Sequence, residues 1–175
     1  MKASMETWDA IRSRRNVRAY DGRPIDDADL RLITEAAWRT PSSMNQQAWT
    51  FVVVTDPYRL RELAGVWTYA DHVGRAAAAI ALVAPASDDP DARETFQYDL
   101  GQATMSIMLA AADLGIGSCH AAVDDQALAR SLLGVPEDQR VEWLLSLGYP
   151  ADRPLAPLAR PARRPLGEVV RYERW

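Results

Sequence analysis

Cysteine is almost missing from this chain. Cys119 is the only one in 175 residues, which excludes an intrachain disulfide and any metal site built from several thiolates. Lysine is as scarce, with Lys2 alone, so nearly every cationic side chain is a guanidinium. Excess positive charge is also lacking. The formal net charge is −4, and a general nucleic-acid or membrane-surface binder normally carries a positive surplus. No apolar run approaches the length of a bilayer-spanning helix. The N-terminal MKASMETWDAIRSRR lacks the continuous apolar centre of a secretory leader. A cytoplasmic protein bound to neither nucleic acid nor membrane is the expectation. No serine elbow, phosphate-binding lysine loop or metal-ligand spacing occurs. Gly115-Ile116-Gly117 lacks the GxGxxG spacing of a dinucleotide fingerprint. With two histidines and one thiol, the chain is poor in acids, bases and nucleophiles of catalytic type. An enzyme so composed would leave the chemistry to a bound cofactor.

What is present is an ordinary apolar fraction, 48% of the residues, enough for one domain over residues 1–175 with a real core. Met5, Trp8 and Ile11 predict a short amphipathic helix over 5–14. Asp26 and Asp29 open a second helix, whose stripe of Leu30, Ile33 and Ala37 stops before Pro41. Phe51–Thr55 reads as a buried strand, Leu60 to Trp67 as a helix and Ala79–Ala84 as another buried strand. Residues 92–114 carry the longest helical pattern, closed by Gly115. Their apolar side chains cover more than one face, which predicts burial nearly all round. Residues 118–123, 126–133 and 141–147 read as strand, helix and strand. The tail from Pro150 has too little local structure to fold alone and either frays or lies against another surface. Interleaved helices and a few strands of buried type indicate an α+β or α/β protein with a modest sheet.

Two arginine clusters stand at opposite ends. Arg12, Arg14, Arg15 and Arg18, with Asn16 among them, crowd the end of the first helix, and Arg160, Arg163 and Arg164 sit in the tail. Each fits a solvated basic edge. Together they also fit the fork-shaped, charge-assisted donors that hold a phosphate. The stretch PSSMNQQAW supplies Ser42, Ser43, Asn45, Gln46 and Gln47 just before a strand. Such residues stabilise turns, or match the donors and acceptors on the edge of a flat heterocycle. Cys119 and His120 are neighbours on a predicted strand and point to opposite faces, a poor arrangement for a thiol–imidazole pair.

In order and spacing these segments resemble the nitroreductase family of FMN-dependent oxidoreductases. AIRSRRNVRAY, AAWRTPSSMNQQAWTFVVV and DLGQATMSIMLAAADLGIGSC carry the likeness, with LLSLGYP and ARRPLGEVVRYERW. The resemblance implies an α+β homodimer with a sheet flanked by helices, a long central interface helix, C-terminal arms around the partner, and FMN at the interface. It implies that Arg14, Arg15, Asn16 and Arg18, with Arg163 and Arg164, surround the FMN phosphate. Pro41, Ser42, Ser43, Asn45 and Gln47 would reach the flavin from the other subunit, and His120, Ala121 and Ala122 would lie along its reactive edge. The implied activity passes hydride from NADH or NADPH through flavin N5 to a nitroaromatic, quinone or similar conjugated acceptor, without a catalytic side chain. Other flavin reactions on the same fold (dehalogenation, ring dehydrogenation, flavin breakdown) and a flavin-holding protein without turnover are the alternatives. The chain departs from the family pattern at Asn16, where serine is usual, at Ala48, at Met105-Ser106, and in having no lysine over 70–76. His72 or Arg75 would have to take its place.

Overall fold

A computed structural model describes residues 5–175. The first four residues of the stretch read for a leader lie outside it. Among the described residues six α-helices occur in chain order: α1 (Thr7–Ser13), α2 (Asp27–Trp38), α3 (Pro57–Leu63), α4 (Pro90–Asp113), α5 (Gln126–Leu133) and α6 (Leu166–Val169). Four strands, β1 (Thr50–Val54), β2 (Ala78–Pro85), β3 (Gly117–Ala122) and β4 (Gln139–Gly148), form one antiparallel sheet in the order β1-β2-β4-β3.

Local chemistry explains most of the boundaries. Asp56 and Asp89 each precede a proline at a helix start, and each carboxylate accepts a bond from the backbone two residues on, satisfying an amide with no partner inside the helix. Asp125 does the same for α5 through the Leu128 amide. At the far end of α4, Gly115 adopts φ 73°. Its N–H bonds to Ala112 O, and that of Ile116 reaches back to Ala111 O at 2.8 Å, a Schellman closure.

The core has two halves, one on each face of the sheet. Ile80, Leu82, Leu145 and Leu147 pack with Ile33 of α2 and Leu100 and Ile107 of α4. Ala79, Ala81, Val83, Val141 and Leu144 pack on the other face with Leu60 and Leu63 of α3 and Ala129 of α5. β2 is covered on both faces, so its sequence is apolar without alternation. β1 differs from the expectation of a buried strand. It lies at the sheet edge, and Val53 is left exposed. The predicted helix to Trp67 ends at Leu63 and continues as a 3₁₀ turn over Ala64–Val66. α4 is not buried all round within one chain either, because the sheet and α2 cover one side only. Tyr98 is 69% and Met105 46% exposed.

Residues 14–20 run extended along the free side of β3 and lead to the site. Asn16 bridges Ser118 in parallel and Tyr20 bridges Pro150. The Val17 amide donates to Ser118 O at 2.9 Å. Gly117 and Gly148 are cross-strand partners. A β-carbon at Gly117 would lie 2.6 Å from the Val17 side chain, and one at Gly148 2.6 Å from the Tyr20 ring. The glycine pair therefore makes the slot in which this segment rests.

Candidate functional site

Arg14 sits at the end of α1, where the chain turns extended. Its guanidinium lies 3.4 Å from Asn16 Oδ1 and 3.6 Å from Met108 Sδ of α4. Arg15 is engaged elsewhere. It bonds Asp152 Oδ1 at 2.7 Å and the Arg153 carbonyl at 2.9 Å, and that hydrogen bond holds the Asp152 carboxyl below its ordinary range. The tail returns to the same place. Leu155 is buried beside Val17, and the Leu158 amide donates to Arg12 O at 3.1 Å. Arg163 is thereby brought to a cavity of about 340 Å³ that Arg12, Arg14, Met105, Leu109 and Pro161 also line. Arg164 lies outside this lining and pairs with Glu168 of α6 at 3.2 Å.

The donor set of this cavity fits an anion. Among the described residues, neither Arg14 nor Arg163 forms an ion pair with an acid; Arg12, the third guanidinium of the lining, pairs with Asp9 at 3.8 Å, and the remaining walls are apolar. Two guanidiniums converging without a carboxylate are what a phosphate would neutralise.

A second cavity, about 250 Å³, lies against an adjacent stretch of α4. Gln97, Gly101, Thr104, His120 and Trp143 line it. Strand alternation sends His120 outward to meet the Trp143 indole edge-on at 5.9 Å, while Cys119 and Ala121 point into the core. Ala122 is half-buried and pairs with Trp143 across the sheet. Trp143 Nε1 donates to Gln97 Oε1 at 2.9 Å, and Gln97 Nε2 to Glu142 at 2.7 Å, so the indole is fixed. Cys119 is fully buried, and that burial pushes the thiol pKa up, the opposite of the exposed, electropositive setting that activates a thiolate. Arg18 is exposed, and its positive charge is felt at His72 and Cys119.

The serine loop is held from below by a residue that sequence reasoning did not single out. Asp99, buried on α4, accepts the Ser43 amide at 3.0–3.1 Å and the Ser43 hydroxyl at 3.0 Å. Ser42 Oγ accepts from the Gln47 amide at 2.9 Å. Met44, Asn45 and Gln47 all have positive φ, a strained state for side-chain-bearing residues, and these bonds maintain it. Pro41, Asn45 and Gln47 are exposed, and none of the loop residues lines the Arg14 cavity of the same chain. The signal for Asp99 was an acid set among the apolar rows of a buried helix. Asp152 and Trp143 gave no such signal. Among the described residues no cluster of acids, histidines and cysteines suits a metal ion, and no helix is long and apolar enough to cross a membrane.

Comparison with known proteins bears on the family and the fold. The model of the nitroreductase family matches residues 11–69 and 64–149. A provisionally named NADH dehydrogenase/NAD(P)H nitroreductase of Archaeoglobus fulgidus is 37% identical over 146 residues, covering 81% of this chain and 84% of the relative. Among solved structures, an FMN-dependent nitroreductase from Clostridium difficile superposes with a TM-score of 0.82 at 25% identity, over 95% of this chain and 98% of that one. The NADPH:FMN oxidoreductase of Vibrio harveyi, solved with NAD+, superposes with a TM-score of 0.81 at 25% identity, over 95% of this chain and 76% of that one. The α+β fold and the match along most of its length place this chain in the nitroreductase family.

Proposed function

We propose that the protein is a homodimeric FMN-dependent oxidoreductase that draws hydride from NADH or NADPH and delivers it to a nitroaromatic, a quinone or a similar small conjugated acceptor. The observation that carries this reading is the meeting of Arg14 and Arg163, 149 positions apart in sequence, at one cavity without an acid partner. When bound, the flavin would supply the chemistry, taking hydride at N5 and passing it on. The residues of the chain bind, orient and shield.

Arg14 and Arg163 hold the phosphate, with Asn16 and Arg18 on the same extended segment beside it. Arg15 and Arg164 would have to leave Asp152 and Glu168 to reach it, so the direct contacts fall to the other pair. Pro41, Ser42, Ser43, Asn45 and Gln47 project from the second protomer and offer carboxamides and hydroxyls to the ring system. His120, Ala121 and Ala122 border the reactive edge. The exposed Tyr98 and Met105 of α4, with Leu166, Val169, Tyr172 and Trp175 of the tail, supply the apolar surface that a second copy would cover.

Absorption spectroscopy tests the reading. Purified protein should be yellow, and anaerobic NADH or NADPH should bleach it. Colourless protein that fails to take up added FMN overturns the assignment, and yellow protein that neither donor reduces overturns the hydride step.

A further inference from the structure

On the face of the sheet opposite α4, the buried Ser146 hydroxyl joins three elements. Its Oγ lies 2.6 Å from Tyr20 Oη, 2.7 Å from His72 Nδ1 and 3.1 Å from the Cys119 carbonyl. Tyr20 Oη also lies 2.7 Å from Val17 O. Ser146 is fully buried and His72 is 3% exposed. Four contacts compete for the hydrogens of two hydroxyls and one imidazole. With the proton on Nδ1, three of the four are made. With it on Nε2, only the two hydroxyl hydrogens remain, so the network selects the Nδ1–H tautomer. His72 then donates to Ser146, and the two hydroxyls bind Tyr20, and through it the Val17 carbonyl, to β4.

Tyr20 and Val17 belong to the extended segment that carries Arg14, Asn16 and Arg18. The segment's other ties are the Val17 amide on Ser118, the Asp21 amide on Tyr149 O and the Ala151 amide on Ala19 O, with the Arg15 side chain on Asp152 and the Arg153 carbonyl; none of these ties fixes the Tyr20 ring. We propose that Ser146, Tyr20 and His72 are positioning residues that seat the arginine segment on the sheet, so that a buried hydroxyl touching no ligand sets how firmly the site holds a phosphate. The affinity part of this inference rests on the flavin site proposed above; the seating part does not.

The experiment uses the full chain as wild type, Tyr20→Phe, Ser146→Ala, His72→Leu and His72→Asn. FMN and riboflavin are titrated against each, and amide hydrogen exchange is followed at Val17, Asp21 and Ala151 without flavin. Tyr20→Phe keeps the ring over Gly148 and removes only the hydroxyl. It should weaken FMN about tenfold while riboflavin, which lacks the phosphate, changes little. Ser146→Ala and His72→Leu should act alike. His72→Asn, whose amide N–H stands where Nδ1–H does, should restore the wild-type ratio. Exchange at the three amides should quicken in the weakened variants while the centre of β2 stays protected. Equal loss for FMN and riboflavin would mean general loosening and would overturn the proposal, as would unchanged exchange in Tyr20→Phe. If the wild type binds neither flavin, the flavin reading fails, and exchange alone decides whether the network seats the segment.

Discussion

At the scale of single residues, burial and partners decide what each polar group can do. Burial, with the Arg18 charge adding to it, lowers the pKa of His72 from 6.5 to about 4. Between these values the unfolded chain binds a proton that the folded protein refuses. Stability is therefore complete above about pH 6.5 and declines as pH falls toward 4, by at most about 1.4 kcal/mol per pH unit. Below that both states are protonated and the contribution levels off. Urea unfolding at several pH values should show this slope, with His72→Asn lacking its share; an identical slope in the variant would discount His72 as the source. At the cavity, Arg14→Ala should weaken FMN about 10- to 100-fold, the usual size of a lost charge-assisted bond, and Arg163→Ala should act in the same direction. Arg15→Ala should instead loosen the contact to Asp152 and leave more of the flavin affinity intact. Equal losses at Arg14 and Arg15 would return Arg15 to the phosphate. Arg14 and Arg15 are adjacent and chemically identical, and sequence gave no ground for separating them. The acid at residue 152, which only folding brings near, makes the distinction.

At the scale of elements, the extended segment and the serine loop are each set by a partner distant in sequence. Gly148→Ala would push a methyl against the Tyr20 ring. The overpacking should cost about 1–3 kcal/mol in chemical unfolding and raise the flavin dissociation constant as the segment shifts. A fully stable Gly148→Ala protein would mean that the segment has room to move away. Asp99→Ala removes the acceptor of both the Ser43 amide and its hydroxyl, leaving half-buried donors without partners, at about 1–3 kcal/mol. Limited proteolysis should then cut within residues 42–47 before any other site, and resistance there would show that the left-handed turn holds without Asp99. Some element boundaries were legible because local devices write them: the glycine closure of α4, the glycine after α5 and the unbroken apolar run of β2, whereas the aspartate–proline starts of α3 and α4 lie ahead of the apolar periodicity from which those helices were read. The edge position of β1 was not legible. Periodicity reports how apolar a strand is, and strand order reports which side is open.

At the scale of the whole molecule, the exposed apolar residues of α4 and the tail are among the large apolar side chains left uncovered in one chain, and the proposed homodimer would cover them. A homodimer should elute with twice the 19.4 kDa chain mass in light scattering. Tyr98→Glu, at an exposed position outside the arginine cavity, should shift it toward the monomer and lower flavin occupancy, since the serine loop would then have no neighbouring cavity to complete. Unchanged flavin occupancy in a monomeric variant would show that one chain suffices for the site.

The sequence alone determined the order of the main helices and strands, the glycine stop of α4, the poverty of catalytic side chains and the two arginine clusters, because each is written in local spacing and composition. Only the tertiary structure decided that Arg14 and Arg163 share a cavity while Arg15 and Arg164 turn to acids. It alone decided that Asp99 clamps the serine loop and that His72, Ser146 and Tyr20 meet beneath the arginine segment. Those pairings span dozens of residues and depend on strand order and glycine-sized gaps, which spacing along the chain does not encode.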